Sequence, residues 1–259
     1  MSGLAGCRRI CLVTAVDVEF NAAARLLADP AHGEECGVRL CRGTRGARRV
    51  TILKAGMGAI GFAPRLDAHL DANPCDALIV AGLAGALVPD LAAGDAVLYD
   101  RCADARPENA RELESDRDEI ARIVGDDLLL NTLGVLLQVA GRAVSVRPGI
   151  TVGEIVVSSE RKLFLGTRHR AAAADMETFE IWSLCRGRGL PFAALRIISD
   201  DAGQDLPDFN RAYDTEGRIL PRRMAAVMAA HPVVTARFLI NLRRAMRAFR
   251  PALEIVLDA

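Results

Sequence analysis

The chain lacks an excess of charge of either sign. Its 259 residues include 33 Lys and Arg against 33 Asp and Glu, which gives a formal net charge of zero. A balanced chain creates no long-range field that attracts nucleic acid or an anionic bilayer, so any basic surface must be local. We therefore expect no nucleic-acid partner.

Long apolar runs and paired cysteines are also missing. The longest apolar run, Ala77 to Val88, is too short to span a bilayer and is interrupted by glycines. The seven cysteines form no Cys-x-x-Cys pair, and an odd number without a signal peptide favours reduced thiols in a cytoplasmic protein. Cys36 and Cys41 have no His or Cys cluster near them to complete a four-ligand site, so we expect no metal.

Strand and helix patterns alternate along the whole chain, with no repeat or low-complexity linker between them. This alternation predicts an α/β fold, a three-layer α/β/α arrangement with a central mixed, largely parallel sheet. We expect a single domain over residues 1–259, with a helical tail from about residue 221. The predicted strands are 9–15, 38–43, 49–55, 76–82, 95–100, 144–147, 152–158 and 190–198. The predicted helices are 18–28, 60–72, 126–140, 171–186 and 221–249.

Two short motifs place carboxylates at the ends of one compact unit. The first is Asp175-Met176-Glu177, and the second, after an apolar strand, is Arg196-Ile197-Ile198-Ser199-Asp200. Asp200 lies just past the carboxyl end of the predicted strand, the edge where open α/β sheets usually bind ligands. The alternative is that Glu177 only begins a solvated helix face and that Asp200 only caps the next turn.

These motifs resemble the purine nucleoside phosphorylase and methylthioadenosine/S-adenosylhomocysteine nucleosidase superfamily. Three further segments are similar to the family in the same order: strand 10–15 with the acidic turn to Glu19, the glycine turn Leu53 to Gly58, and the glycine loop 78–87 followed by Gly94-Asp95-Ala96-Val97. The strand 189–196, Leu206-Pro207, Glu216-Gly217-Arg218 and the Pro-interrupted tail resemble the hopanoid-associated phosphorylases. Members of that subgroup are assigned to removing adenine from adenosylhopane.

The resemblance implies a role for each carboxylate in the cleavage of a purine N-glycosidic bond. Breaking this bond leaves positive charge on the ribose and negative charge on the departing base. Asp200 would be the general acid toward N7 of the base, and a partly desolvated pocket would favour the protonated carboxyl. Glu177 would accept hydrogen bonds from the ribose 2′ and 3′ hydroxyls, and Met176 would lie beneath the sugar or simply pack in the core. We expect Arg196 to be structural.

The remaining site residues follow from the same resemblance. Val157 and Ser159 would supply backbone groups to the adenine edge, while Lys162 is interpreted as a surface charge. No metal or organic cofactor is implied, and the resembled family usually forms homo-oligomers. The other predicted substrate-binding residues are Met57, Gly82, Ala84 and Ser199.

The identity of the acceptor depends on Glu19. In the nucleosidases an acid at this turn orients and deprotonates water, whereas many phosphorylases carry arginines here and before the central glycine loop to bind phosphate. Residues 14–20 contain no basic side chain and Val80-Ala81 precedes Gly82, so hydrolysis is favoured and phosphorolysis is the alternative. The alternative is that Glu19 serves only the dipole of its helix.

Other functions are also compatible with the sequence. Gly56-Met57-Gly58-Ala59-Ile60-Gly61 matches a dinucleotide-binding pattern, but the next strand does not end in the acidic residue that the pattern requires. A methylthioadenosine/S-adenosylhomocysteine salvage nucleosidase and a non-catalytic nucleoside-binding module are further alternatives. For a substrate with a lipid tail, we expect an apolar 5′ side lined by Met57, Phe20 or the charged excursion within 103–122. Arginines of the last helix would allow peripheral membrane contact.

Overall fold

A computed structural model describes residues 6–59, 61–106, 122–124, 127–214 and 219–259. Ten strands and seven helices are described. The strands are β1 (Arg9–Thr14), β2 (Ala28–Glu35), β3 (Val38–Arg45), β4 (Arg48–Lys54), β5 (Ala77–Ala86), β6 (Ala96–Asp104), β7 (Arg122–Val124), β8 (Val144–Thr151), β9 (Ala173–Asp175) and β10 (Phe192–Asp200). The helices are α1 (Asp17–Ala24), α2 (Phe62–Ala72), α3 (Asp127–Val139), α4 (Ser159–His169), α5 (Thr178–Gly187), α6 (Pro221–Ala230) and α7 (Pro232–Asp258).

The central sheet is mixed, and the strands β5, β10, β6, β8 and β9 form a closed ring within it. β1 lies parallel to both β4 and β5, and β10 pairs with β5 in parallel and with β6 in antiparallel orientation. β8 and β9 complete a ring because β9 also pairs with β5. The antiparallel strands β3 and β2 extend the open side beyond β4. The predicted α/β class with a central mixed sheet is confirmed.

Helices cover both faces of the sheet because alternate side chains of each buried strand face opposite layers. On β1, Ile10 and Leu12 pack with α1, α3 and α7, whereas Cys11 and Val13 pack with α2 and α5. On β10, Leu195 and Ile198 divide between the two cores in the same way. The parallel strands β1, β5 and β10 therefore end together at one edge of a layered core.

Several elements differ from the prediction. The predicted helix 171–186 begins only at Thr178, because the alanine-rich segment before it forms β9 between β5 and β8. The predicted strand 152–158 is irregular, and the strand β8 precedes it. Strand β2 and helix α4 were not predicted. The tail divides into α6 and α7 at Pro232, and the two helices are bent by 114°.

No single helix in the described part of the chain is both long and apolar enough to cross a membrane. Helices α6 and α7 meet that test of length and composition only when taken together as a bent pair. Most of the charged excursion predicted within 103–122, residues 107–121, lies outside the described residues.

Candidate active site

The carboxyl ends of β1, β5 and β10 open into a cavity of about 900 Å³. Their parallel alignment brings together side chains that are far apart in the sequence. Seven of the predicted site residues line this cavity: Glu19, Met57, Ala84, Met176, Glu177, Ser199 and Asp200. The cavity therefore unites the acid, the water-activating and the sugar-binding residues that the motifs suggested.

Glu19 is fixed by backbone groups from two different elements. Its Oε2 atom accepts hydrogen bonds from the N–H groups of Ala15 (2.9 Å) and Val16 (3.1 Å), which cap the start of α1. Its Oε1 atom reaches across the site to the N–H of Leu83 on β5, at 2.8 Å. Burial raises the pKa of the Glu19 carboxyl, and the Leu83 hydrogen bond partly opposes this effect. The carboxylate therefore joins the start of α1 to β5.

Arg196 is a buried cation among several carboxylates at the floor of the site. Its guanidinium lies 3.2 Å from Asp175 and 3.4 Å from Glu177, and it is 1% exposed. Its Nη2 atom also donates to Thr178 Oγ1 at 2.8 Å. These contacts are compatible with the structural role expected for Arg196, and one of them is to the carboxylate expected to hold the ribose.

Asp175 orients the first turn of α5 and, through it, Glu177. Its Oδ1 atom accepts hydrogen bonds from the N–H groups of Glu177 and Thr178, both at 3.0 Å, and from Thr151 Oγ1 at 2.9 Å. Its Oδ2 atom accepts from Thr178 Oγ1 at 2.5 Å. The supporting roles of Asp175, Thr151 and Thr178 were not predicted. An Asp three residues before a Thr is the one signal that could have indicated this capping arrangement.

Glu177 connects the buried group around Arg196 to the glycine turn after β4. Its Oε1 atom accepts a hydrogen bond from Gly58 N–H at 3.0 Å, and Gly58 has a φ of 70° that favours glycine. Burial raises the pKa of Glu177 to about 7, although nearby Arg196 favours the ionised form. The N–H in the middle of the glycine pattern thus binds a protein carboxylate, which is unlike a turn that binds pyrophosphate.

Asp200 is held from both sides. Lys162 Nζ on α4 donates to its Oδ2 atom at 2.6 Å, and Ser199 Oγ lies 2.6 Å from its Oδ1 atom. Lys162 is 1% exposed, so its interpretation as a surface charge was wrong. Helix α4, which was not predicted, packs this residue under the site. Asp200 itself lies at the end of β10, as the sequence predicted.

Three predicted contacts are placed elsewhere. A Cβ atom on Gly82 would lie 2.7 Å from Arg196 Nη1 and 2.9 Å from Glu19 Oε1, so this glycine makes room for those side chains. The Val157 carbonyl accepts from Leu206 N–H, and Ser159 N–H donates to Asp205 Oδ1 at 2.7 Å. Among the described residues of that segment, the cavity wall is formed by its neighbours, which include Ile155 and Val156.

One lobe of the cavity is apolar and is built by the chain after β10. Phe20, expected at this surface, is fully buried in the core, whereas Met57 does line the cavity. The apolar wall comes instead from the segment after β10 and from the bent helix pair. Its residues are Leu206, Phe209, Tyr213, Ile219, Met224, Met228, Phe238, Leu239 and Leu242.

Comparisons with known proteins agree with this fold. The model of the phosphorylase superfamily matches residues 9–230, and the chain belongs to this family. The futalosine hydrolase of Streptomyces coelicolor is 31% identical over 210 residues, which cover 74% of this chain and 83% of that protein. The 5′-methylthioadenosine/S-adenosylhomocysteine nucleosidase of Shewanella frigidimarina is 22% identical over 208 residues, which cover 78% of this chain and 90% of that protein.

A solved structure shows the same fold. The native structure of futalosine hydrolase from Helicobacter pylori aligns with a TM-score of 0.75 at 18% identity and covers 97% of both chains. Family membership and the named relatives establish the class of the protein, an enzyme that acts on N-glycosyl bonds of nucleosides.

Proposed function

We propose that this enzyme hydrolyses the N-glycosidic bond of an adenosine whose 5′ substituent is a large apolar group, and that it releases adenine. The observation that carries this proposal is a single cavity that is lined both by Glu19, Glu177 and Asp200 and by a large set of apolar side chains from the chain after β10. An adenosylhopane, with its triterpenoid tail, is a substrate of this kind.

The carboxylates divide the chemistry between the two halves of the nucleoside. Asp200 donates a proton to N7, so that the bond electrons can leave with the base as neutral adenine. Glu177 accepts the hydrogen bonds of the 2′ and 3′ hydroxyls. The negative charge of the site floor stabilises the oxocarbenium-like ribose, which forms as the bond breaks.

Charge favours water over phosphate as the acceptor. Glu19, Asp175 and Glu177 outnumber the Arg196 guanidinium that lies among them, so the sugar-binding floor disfavours a second anion. Arg39, Lys54 and Arg65 also line the cavity and favour the alternative of phosphorolysis. Arg39 and Lys54 share the single carboxylate of Asp17, each at 2.7 Å, which offsets one of their two positive charges.

The apolar lobe argues for a 5′ group larger than methylthio. With N7 at Asp200 and the ribose hydroxyls at Glu177, we place the 5′ carbon toward Phe209 and the bent helix pair. Methionine side chains at 224 and 228 adapt to irregular apolar ligands. Salvage of methylthioadenosine or S-adenosylhomocysteine, the activity in the name of one relative, remains the alternative.

A series of 5′-alkylthio adenosines tests this assignment. We expect kcat/KM for adenine release to rise with chain length, by about fourfold per added methylene, because each buried CH₂ contributes about 0.8 kcal/mol. Phe238→Ser should flatten this dependence. Ile240→Ser on the exposed side of the same helix is the matched control and should leave it unchanged, since Ile240 is 51% exposed.

The same proposal includes contact with a membrane that holds the lipid tail. Val233 and Ile240 are exposed on α7, and the arginines at 237, 243, 244, 247 and 250 make the same region locally basic. We expect co-sedimentation with anionic vesicles at low salt and release at high salt. A clear preference for methylthioadenosine together with no vesicle binding would leave an ordinary salvage nucleosidase.

A further inference from the structure

Lysine is rare in this chain, and one of its few lysines is buried under the active site. Of the 33 basic residues, 31 are arginine, and the two lysines are Lys54 and Lys162. Lys162 Nζ donates to Asp200 Oδ2 at 2.6 Å, to the Gln204 carbonyl at 2.8 Å and to the Asp201 carbonyl at 3.1 Å. Three acceptors match the three protons of an ammonium.

The acceptors around Lys162 are themselves held in place. Asp201 Oδ1 accepts a hydrogen bond from Ala93 N–H at 2.8 Å, and Gln204 Oε1 accepts one from Asn241 Nδ2 of α7 at 2.7 Å. The turn after β10 is therefore fixed to two other parts of the fold. Because Lys162 is buried, as are Ala202 and Gln204 of this turn, the position of the ammonium relative to Asp200 is set by packing.

The contact between Lys162 and Asp200 offsets an effect that burial has on a general acid. A desolvated carboxyl holds its proton strongly, since the carboxylate left behind is poorly solvated. An ammonium ion at 2.6 Å from one oxygen stabilises that carboxylate as it forms. The other oxygen, Oδ1, is left to carry the proton toward the base.

Ser199 can form a hydrogen bond with Asp200 Oδ1 both before and after proton transfer. Its hydroxyl oxygen lies 2.6 Å from Asp200 Oδ1 and 3.2 Å from the Ala84 carbonyl, but a hydroxyl has only one proton to donate. When Oδ1 is protonated it donates to Ser199, which donates to Ala84. Once Oδ1 is a carboxylate oxygen, Ser199 donates to it instead.

We propose that Lys162 is a positioning residue that makes Asp200 an effective acid, by stabilising the carboxylate left when the proton moves to the departing base. This inference rests on the proposed function. The C1′–N9 bond breaks with its electrons moving to the base, and N7 takes the proton of Asp200 Oδ1. Water bonds to C1′ and passes a proton to Glu19, from which solvent returns one to Asp200. Lys162 neither gains nor loses a proton.

The test compares two leaving groups in the variant Lys162→Met. Adenine must be protonated to leave, whereas 4-nitrophenolate leaves as a stable anion, so a 4-nitrophenyl riboside with the same 5′ group needs no acid. We expect kcat for adenine release to fall on the order of a hundredfold with KM little changed, and nitrophenol release to stay within about threefold of wild type. Arg161→Met, an exposed neighbour on α4, is the matched control and should change neither rate.

Equal losses for the two substrates in a folded Lys162→Met variant would overturn the proposal, as would no loss for either. If Lys162→Met does not fold, the variant Lys162→Arg provides the test, because it keeps the positive charge next to Asp200. The ratio of adenine release to nitrophenol release should then stay within about threefold of wild type, and a collapse of that ratio would contradict the proposal. A wild-type enzyme that releases nitrophenol but no adenine would instead refute the proposed function.

Discussion

Replacing Asp200 by asparagine is expected to lower kcat for adenine release by about a hundredfold to ten-thousandfold, with KM little changed. An amide has nearly the same shape and can still accept the Lys162 hydrogen bond, but it cannot protonate N7. Steady-state kinetics with a 5′-alkylthio adenosine measure both constants. Calorimetric binding of adenine checks that the site remains intact.

The matched control for this substitution is Asp208→Asn. Asp208 lies on the same loop after β10, but it is half exposed and pairs with Arg211 at 2.8 Å. It should keep wild-type kinetics. Adenine release at a near wild-type rate by Asp200→Asn would show that the acid lies elsewhere in the cavity.

Glu19→Gln is expected to slow adenine release on the order of a hundredfold in phosphate-free buffer. The carboxylate accepts three backbone N–H groups, from Ala15, Val16 and Leu83. An amide turns an NH₂ group toward at least one of these donors and also loses the base that takes the proton from water. Measuring kcat together with the thermal midpoint separates the loss of chemistry from the loss of stability.

Glu160→Gln provides the comparison for Glu19, because Glu160 is also an acid in the first turn of a helix and is exposed. It should retain full activity. If Glu19→Gln turned over as fast as Glu160→Gln, Glu19 would be only a helix-capping residue, which is the alternative that the sequence left open.

The sequence predicted the parts of the site that depend on local pattern. Strands β1, β5 and β10 are nearly continuous apolar runs. Asp200 is the last residue of β10, and Glu19 lies in the first turn of the helix that follows β1. Parallel pairing then brings their ends together without further information. Glu177 also lies at the site as predicted, although the helix predicted to begin at residue 171 begins only at Thr178. The turn at Asp175 still directs the Glu177 side chain inward.

The predictions that were wrong concern segments in which tertiary contacts outweigh the local secondary-structure preference of the sequence. Residues 171–174 are alanines, which favour a helix, yet Ala173 and Ala174 pair with β5 and β8. Lys162 lies in a segment rich in charge, and its burial depends on acceptors at 200, 201 and 204 that local pattern does not reveal. The apolar lobe likewise depends on a bend at Pro232 that turns one predicted helix into two.

The most direct test of hydrolysis of a 5′-substituted adenosine is product analysis with a 5′-alkylthio adenosine in buffers with and without phosphate. We expect the same rate of adenine release in both buffers, and a free 5′-alkylthio ribose as the second product by mass spectrometry. Strict dependence on phosphate, with a sugar 1-phosphate as the product, would contradict the account and establish a phosphorylase.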